Sequence, residues 1–184
     1  MIKNQTQLKS ILLIAIVFLF TAFNARAQDK TKLIGNKPRH GSSNSTSEVI
    51  KGNQLGIVMK AGHKPVQLLK LEFGVENTDQ SSHEFKVNVY EFTDKPSGEN
   101  LLKENVFGII PKGKNRVSVD LSTYDLIVKG DILVAIEWTK TVSGANPHFA
   151  IGLFNGGSYV YEGDKWKKIP VAGFDFNMLV KKLK

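Results

Sequence analysis

Alternation of apolar and polar residues dominates the chain from residue 48 onward and predicts strands rather than helices. The clearest inward face consists of Ile132, Val134, Ile136 and Trp138, whose i, i+2 spacing is that of a half-buried strand. Such runs recur at roughly ten-residue intervals between turn residues, which is typical of an all-β, antiparallel, jelly-roll-like β-sandwich, with a barrel as the alternative. About nine strands are predicted, near residues 66–76, 85–92, 106–110, 117–121, 132–138, 149–154, 158–162, 165–169 and 174–180.

One predicted strand changes its parity partway along. Val66 and Leu68 would face one side, while the other side is taken by Leu69, Leu71, Phe73 and Val75. A single extra residue shifts every following side chain to the opposite face. The pattern therefore predicts a β-bulge, or the start of a strand, near Leu68.

A two-residue turn at residues 163–164 predicts a hairpin that pairs Tyr161 with Trp166 and Tyr159 with Lys168 on one face. Aromatic rings beside a lysine form a surface on which sugar rings or peptide side chains can stack. We therefore predict a ligand-binding site at Tyr159, Tyr161, Trp166 and Lys168. The alternative is that these rings cover one end of the core or only stabilise the hairpin.

The N-terminal region has the order of a cleavable secretory signal peptide, predicted over residues 1–27. Lys3 and Lys9 precede the apolar run at residues 11–20, and Ala25-Arg26-Ala27 forms the cleavage site. The uncharged stretch at residues 10–25 is shorter than the roughly 20 residues that cross a bilayer. We expect export to the periplasm or beyond, and no membrane span in the mature protein.

Processing changes the charge and the organisation of the chain. Loss of Lys3, Lys9 and Arg26 lowers the formal net charge from +8 to +5. The remaining basicity is almost entirely lysine, so nucleic-acid binding is not expected. Residues 28–47 are rich in serine and glycine and predict a flexible leader, followed by a β-sandwich domain over residues 48–184. The chain has no cysteine, so neither a disulfide nor a lipid-modified cysteine can form.

Few residues have the spacing that catalysis or metal binding needs. There is no Gly-x-Ser-x-Gly motif and no cysteine nucleophile, and a non-enzymatic protein without a cofactor is predicted. The four histidines lie beside turn or linker residues, so exposed loop positions are expected for them rather than a zinc site. A structural calcium ion is a weaker hypothesis, with loop carboxylates as its ligands at Asp79, Asp94 and Glu99.

Three segments resemble a known group of domains: VNVYEFTDKPSGENLL, VSVDLSTYDLIVKGDILVAIEW and YEGDKWKKIPVAGFDFNMLVK. They are similar to the jelly-roll-like β-sandwich domains of exported Bacteroidota proteins, often found beside a transthyretin-like carboxypeptidase regulatory domain. The resemblance implies fold and location and brings no catalytic residues. Our functional hypothesis is an exported, non-catalytic binding or accessory module for carbohydrate or a cell-envelope polymer. The alternatives are an assembly protein that binds envelope proteins through a sheet edge and, with less support, a hydrolase.

Overall fold

The computed structural model describes residues 30–38 and 44–183, and nearly all regular structure in them is antiparallel β-strand. A single turn of 3₁₀-helix, Ser122–Tyr124, is the exception. No α-helix of the length and hydrophobicity that a bilayer crossing requires occurs in these residues. The strands are β1 Thr31–Gly35, β2 Asn44–Thr46, β3 Gln54–Asn77, β4 His83–Glu91, β5 Val106–Ile110, β6 Gly113–Asp120, β7 Ile127–Trp138, β8 His148–Leu153, β9 Ser158–Glu162, β10 Lys165–Ile169, β11 Ala172–Phe174 and β12 Asn177–Lys182.

The long strand β3 belongs to two sheets. Its first part lies between β7 and β9 and its second part between β6 and β12. The first sheet has the order β10-β9-β3-β7-β4-β5, and the second has β1-β12-β3-β6, with β8 joining at the end of β3. The strand turns from one sheet to the other where its register with β7 shifts around Gly62, whose φ of +97° suits glycine.

The apolar faces of the two sheets pack against each other. Phe73 in the second sheet contacts Phe85 in the first at 5.5 Å between ring centroids, and it also contacts Phe149 and Phe176. Trp138 is buried in the same core, as its alternation pattern predicts. The predicted fold class, an all-β antiparallel jelly-roll-like β-sandwich, is confirmed.

The predicted bulge is present in β3. Leu179 of β12 pairs with Lys70, but the next residue, Val180, pairs with Leu68, so Leu69 is the extra residue. As a result Leu68 and Leu71 both point into the core, although they are three residues apart.

Two strands lie inside the segment predicted to be a flexible leader, residues 28–47. β1 pairs along its whole length with β12 and buries Ile34, and β2 pairs with β8. These parts of the segment are therefore integrated into the sandwich. The predicted signal peptide, residues 1–27, lies outside the described residues.

His83 corrects the prediction that the histidines occupy exposed loops. Its side chain is only 2% exposed, at the start of β4, where it faces the same way as Phe85 and Val87. Its ring lies edge-on to Trp138, with 6.3 Å between centroids. His63 is exposed and His148 is half-buried. His40 lies outside the described residues.

Candidate functional site

The hairpin formed by β9 and β10 has the predicted register. Tyr161 pairs with Trp166 and Tyr159 with Lys168 across a turn in which Gly163 has a φ of +72°. The rings of Tyr161 and Trp166 are 5.4 Å apart, and Lys168 Nζ lies 5.8 Å from the centre of the Tyr159 ring. The four predicted binding residues thus share one face of the hairpin.

Cross-strand pairing extends this face over the first sheet. Tyr161 pairs with Gln54 of β3, Gln54 with Glu137 of β7, and Glu137 with Lys86 of β4. Directly paired residues in adjacent strands point to the same side of a sheet. Trp166, Tyr161, Gln54, Glu137 and Lys86 therefore form one continuous row on the outer surface of the sandwich.

The sheet curls strongly around this outer surface. Trp166 contacts Tyr90 of β4 at 5.9 Å between centroids, and Tyr159 contacts Phe92 at 5.2 Å, both edge to face. Because β4 and β10 are separated by three strands, a flat sheet would hold them about 19 Å apart. The hairpin therefore folds over the sheet, and we call Tyr90, Phe92, Tyr159, Tyr161 and Trp166 the aromatic face.

Small residues in the middle strands allow this curvature. Gly56 in β3 pairs with Ala135 in β7 and with Tyr159 in β9. A Cβ atom on Gly56 would collide with the carbonyl oxygen of Val134. Any larger side chain at position 56 would push β7 away and open the curl.

A set of hydrogen-bonded polar side chains lies beside the aromatic face; we call Gln54, Lys86, Asn88 and Glu137 the polar cluster. Asn88 Nδ2 donates to Gln54 Oε1 at 3.0 Å and to Glu137 Oε2 at 2.7 Å. Lys86 Nζ lies 2.9 Å from the same Glu137 oxygen. Each of these groups is therefore held in a fixed orientation before any ligand arrives.

Tyr90 connects the polar cluster to the aromatic face. Its hydroxyl donates to Gln54 Oε1 at 2.9 Å, and its ring contacts Trp166. Burial raises the pKa of the Tyr90 hydroxyl, and the charge of Glu137 adds to that shift. The hydroxyl therefore stays protonated and remains a donor at physiological pH.

The hairpin residues are less open than a flat platform would be. Tyr159, Tyr161 and Trp166 are half-buried, and only Lys168 is fully exposed. The rings pack against Tyr90 and Phe92 and still reach solvent, and the ligand-binding site at these residues stays a prediction. Sequence reasoning missed Gln54, Asn88 and Glu137, although Tyr161, the cross-strand neighbour of Gln54 in the hairpin, was identified.

The structure does not bring the three carboxylates of the calcium hypothesis together. Asp79 precedes β4, whereas Asp94 and Glu99 follow it, and a nine-residue strand separates the two positions by about 30 Å. Asp79 Oδ1 instead accepts a hydrogen bond from the Gln80 backbone nitrogen at 2.6 Å. Within residues 30–38 and 44–183, no three side chains of the metal-binding types form a cluster.

Comparisons with known proteins find likenesses among solved structures, two of which follow. No protein-family model matches the chain, and no curated protein matches it. A CBM35 from Cellvibrio japonicus Abf62 has 12% sequence identity and a TM-score of 0.42, covering 78% of this chain and 94% of that one. An Xyl-CBM35 in complex with a glucuronic acid containing disaccharide has 11% identity, a TM-score of 0.38 and the same coverage. Because both TM-scores lie below 0.5, neither likeness bears on what this chain binds, and the link to exported Bacteroidota proteins stays a prediction.

Proposed function

We propose that the chain is an exported, non-catalytic carbohydrate-binding module that holds its ligand on the aromatic face. The observation that carries this proposal is the row in which the half-buried rings of Tyr161 and Trp166 continue directly into Gln54, Glu137 and Lys86. Export is supported by the signal-peptide pattern of residues 1–27.

The chemistry of a sugar matches this row. One face of a pyranose ring is lined by C–H groups that pack on an aromatic ring, while the hydroxyls at its edge both donate and accept hydrogen bonds. Glu137 supplies a carboxylate that accepts, and Lys86 supplies an ammonium that donates. Their mutual contact fixes them in advance, which lowers the entropy cost of binding.

The same row argues against hydrolysis. Cleavage of a glycosidic bond by the common mechanism uses two carboxyl groups on opposite sides of the bond. Glu137 is the single carboxylate of the row, and its Oε2 is already engaged by Lys86 and Asn88. The row can therefore bind a sugar, but it lacks the paired acid and base that hydrolysis needs.

Titration of the mature protein, residues 28–184, against an array of glycans and cell-envelope polysaccharides tests the proposal. Trp166→Ala should weaken binding by about tenfold or more, because it removes the ring that a sugar would cover. Trp166→Phe keeps a ring against Tyr90 and should retain most of the affinity. Absence of any glycan ligand, or equal affinity for wild type and Trp166→Ala with unchanged melting temperature, would refute the proposal.

A second candidate function is assembly through the edge of the first sheet, which β5 forms. In the described part of the chain β5 pairs with β4 alone, and its Phe107 and Ile109 side chains are more than half exposed. Edge strands with open backbone groups and apolar side chains favour pairing with another chain. Co-purification from envelope fractions should then be lost in Ile109→Ala, and because Ile109 pairs with Glu84 rather than with Lys86 of the row, this change should leave glycan binding intact.

A further inference from the structure

Several large apolar side chains are exposed close to one another at the end of β8 and around the end of β10. Phe154 is 85% exposed and Leu153 57% exposed, and both lie at the end of β8. The Phe154 backbone nitrogen donates to the Val171 carbonyl at 2.7 Å, which joins this loop to the segment after β10. We call Leu153, Phe154, Ile169 and Val171 the apolar tip.

The backbone of Phe154 is held in an unfavourable conformation. Its φ is +58°, in the left-handed region that favours glycine. Two glycines of the same loop, Gly156 and Gly157, also have positive φ, a conformation that glycine adopts without strain. A Cβ atom on Gly157 would collide with the Ile169 carbonyl oxygen, so the loop packs closely against the other half of the tip. A phenylalanine that strains the backbone and remains in solvent contributes nothing to folding, which points to a binding role.

A lysine lies beside the tip, and carboxylates are absent from the segments that form it. Lys168 directly precedes Ile169, but its Nζ lies over the Tyr159 ring and belongs to the aromatic face. Exposed Lys37 follows Asn36, whose Nδ2 donates to the Phe174 carbonyl oxygen at 2.6 Å and so lies beside the tip. Residues 30–38, 148–161 and 165–174 contain no aspartate or glutamate. The acids next to these segments are exposed Glu162 and Asp164, at the turn end of the β9–β10 hairpin and so at the opposite end from Ile169, and Asp175, which is buried against Arg116.

We infer that the apolar tip docks on an anionic lipid surface, with Phe154 and its neighbours entering the interface and Lys37 facing the headgroups. A projecting group of apolar side chains with a flanking lysine fits lipid, because apolar area and attraction to anionic lipids add together. A stable protein interface would bury about 800 Å² on each partner, far more than four side chains at a loop tip provide.

Vesicle co-sedimentation with the mature protein tests the inference. Wild type should bind vesicles rich in phosphatidylglycerol and should bind pure phosphatidylcholine vesicles much more weakly. Phe154→Gly should reduce binding by about tenfold or more, since it removes the largest inserted side chain. Because glycine accepts the positive φ, this variant should melt at the same or a higher temperature, which separates the loss of binding from a loss of folding.

Two further variants complete the design. Lys37→Glu should weaken binding to the anionic vesicles and leave the residual binding to phosphatidylcholine unchanged. Phe107→Ser controls for the loss of an exposed phenylalanine elsewhere on the surface and should bind the vesicles as wild type does. Equal binding of wild type and Phe154→Gly would overturn the inference, as would no binding to anionic vesicles. Self-association lost in Phe154→Gly without vesicle binding would also overturn it, in favour of a protein contact. Glycan binding must survive in Phe154→Gly, so failure of the two proposals can be told apart.

Discussion

Replacing Asn88 with alanine removes the side chain that links three strands beneath the aromatic face. Asn88 is 1% exposed; it donates to Gln54 on β3 and Glu137 on β7, and it accepts from Asn100 in the loop after β4 at 2.9 Å. Neutral hydrogen bonds contribute about 0.5–1.5 kcal/mol each and one to a charged group about 1.5–3 kcal/mol. Since Glu137 is partly solvated and can form a hydrogen bond to water instead, we expect the free energy of unfolding to fall by about 2–4 kcal/mol.

Urea unfolding followed by circular dichroism measures this loss as a lower midpoint at an unchanged slope. The isosteric change Asn88→Asp makes the test stricter, because it replaces two donors with a carboxylate that faces Glu137. Burial and the Glu137 charge raise the folded-state pKa of the introduced carboxyl, so its penalty is complete above that pKa and disappears as the pH falls toward the unfolded value of about 3.9. At neutral pH Asn88→Asp should therefore be less stable than Asn88→Ala. The reasoning would be refuted if Asn88→Ala lost less than about 1 kcal/mol of unfolding free energy, or if the stability of Asn88→Asp did not change with pH.

Two other changes test the curl of the sheet and the buried imidazole. Gly56→Ala should lower the melting temperature strongly or prevent folding. In the same thermal scan Gly98→Ala, whose added methyl group meets only open space, should leave the melting temperature unchanged. Equal melting temperatures of the two variants would contradict the proposed origin of the curl. His83→Leu should match or exceed the wild-type urea midpoint, because neither buried ring nitrogen of His83 makes a hydrogen bond and Asp79 Oδ2 lies 4.0 Å from Nε2, beyond hydrogen-bond distance. A clear decrease would show that the contact with Asp79 stabilises the fold.

Local features of the sandwich could be predicted because few residues decide them. The hairpin register follows from the turn at residues 163–164, and the bulge follows from the change of parity at Leu68 and Leu69. The inward orientation of His83 could also be predicted, because His83 is two residues from Phe85 and therefore lies on the same face of β4. The turn residues beside His83 led instead to the prediction of an exposed loop position.

Long-range features could not be predicted because their partners are distant in sequence. Contacts of Trp166 with Tyr90 depend on the curl of five adjacent strands, and no local pattern encodes that curl. β1 was missed because it buries only Ile34 and leaves Leu33 exposed, so no alternation develops. The first part of β3 does alternate, but the corner around Gly62 interrupts its continuation into the second sheet.

The position of β3 in both sheets also sets the order in which the protein can fold. Its second part pairs with β12, which lies more than about 100 residues further along the chain. Pairing over so large a sequence separation requires closure of a long loop, which makes folding slow. Until β12 is available, Leu68, Leu71 and Phe73 have no completed sheet in which to bury. A chain of this topology can therefore complete its core only after β12 has been made.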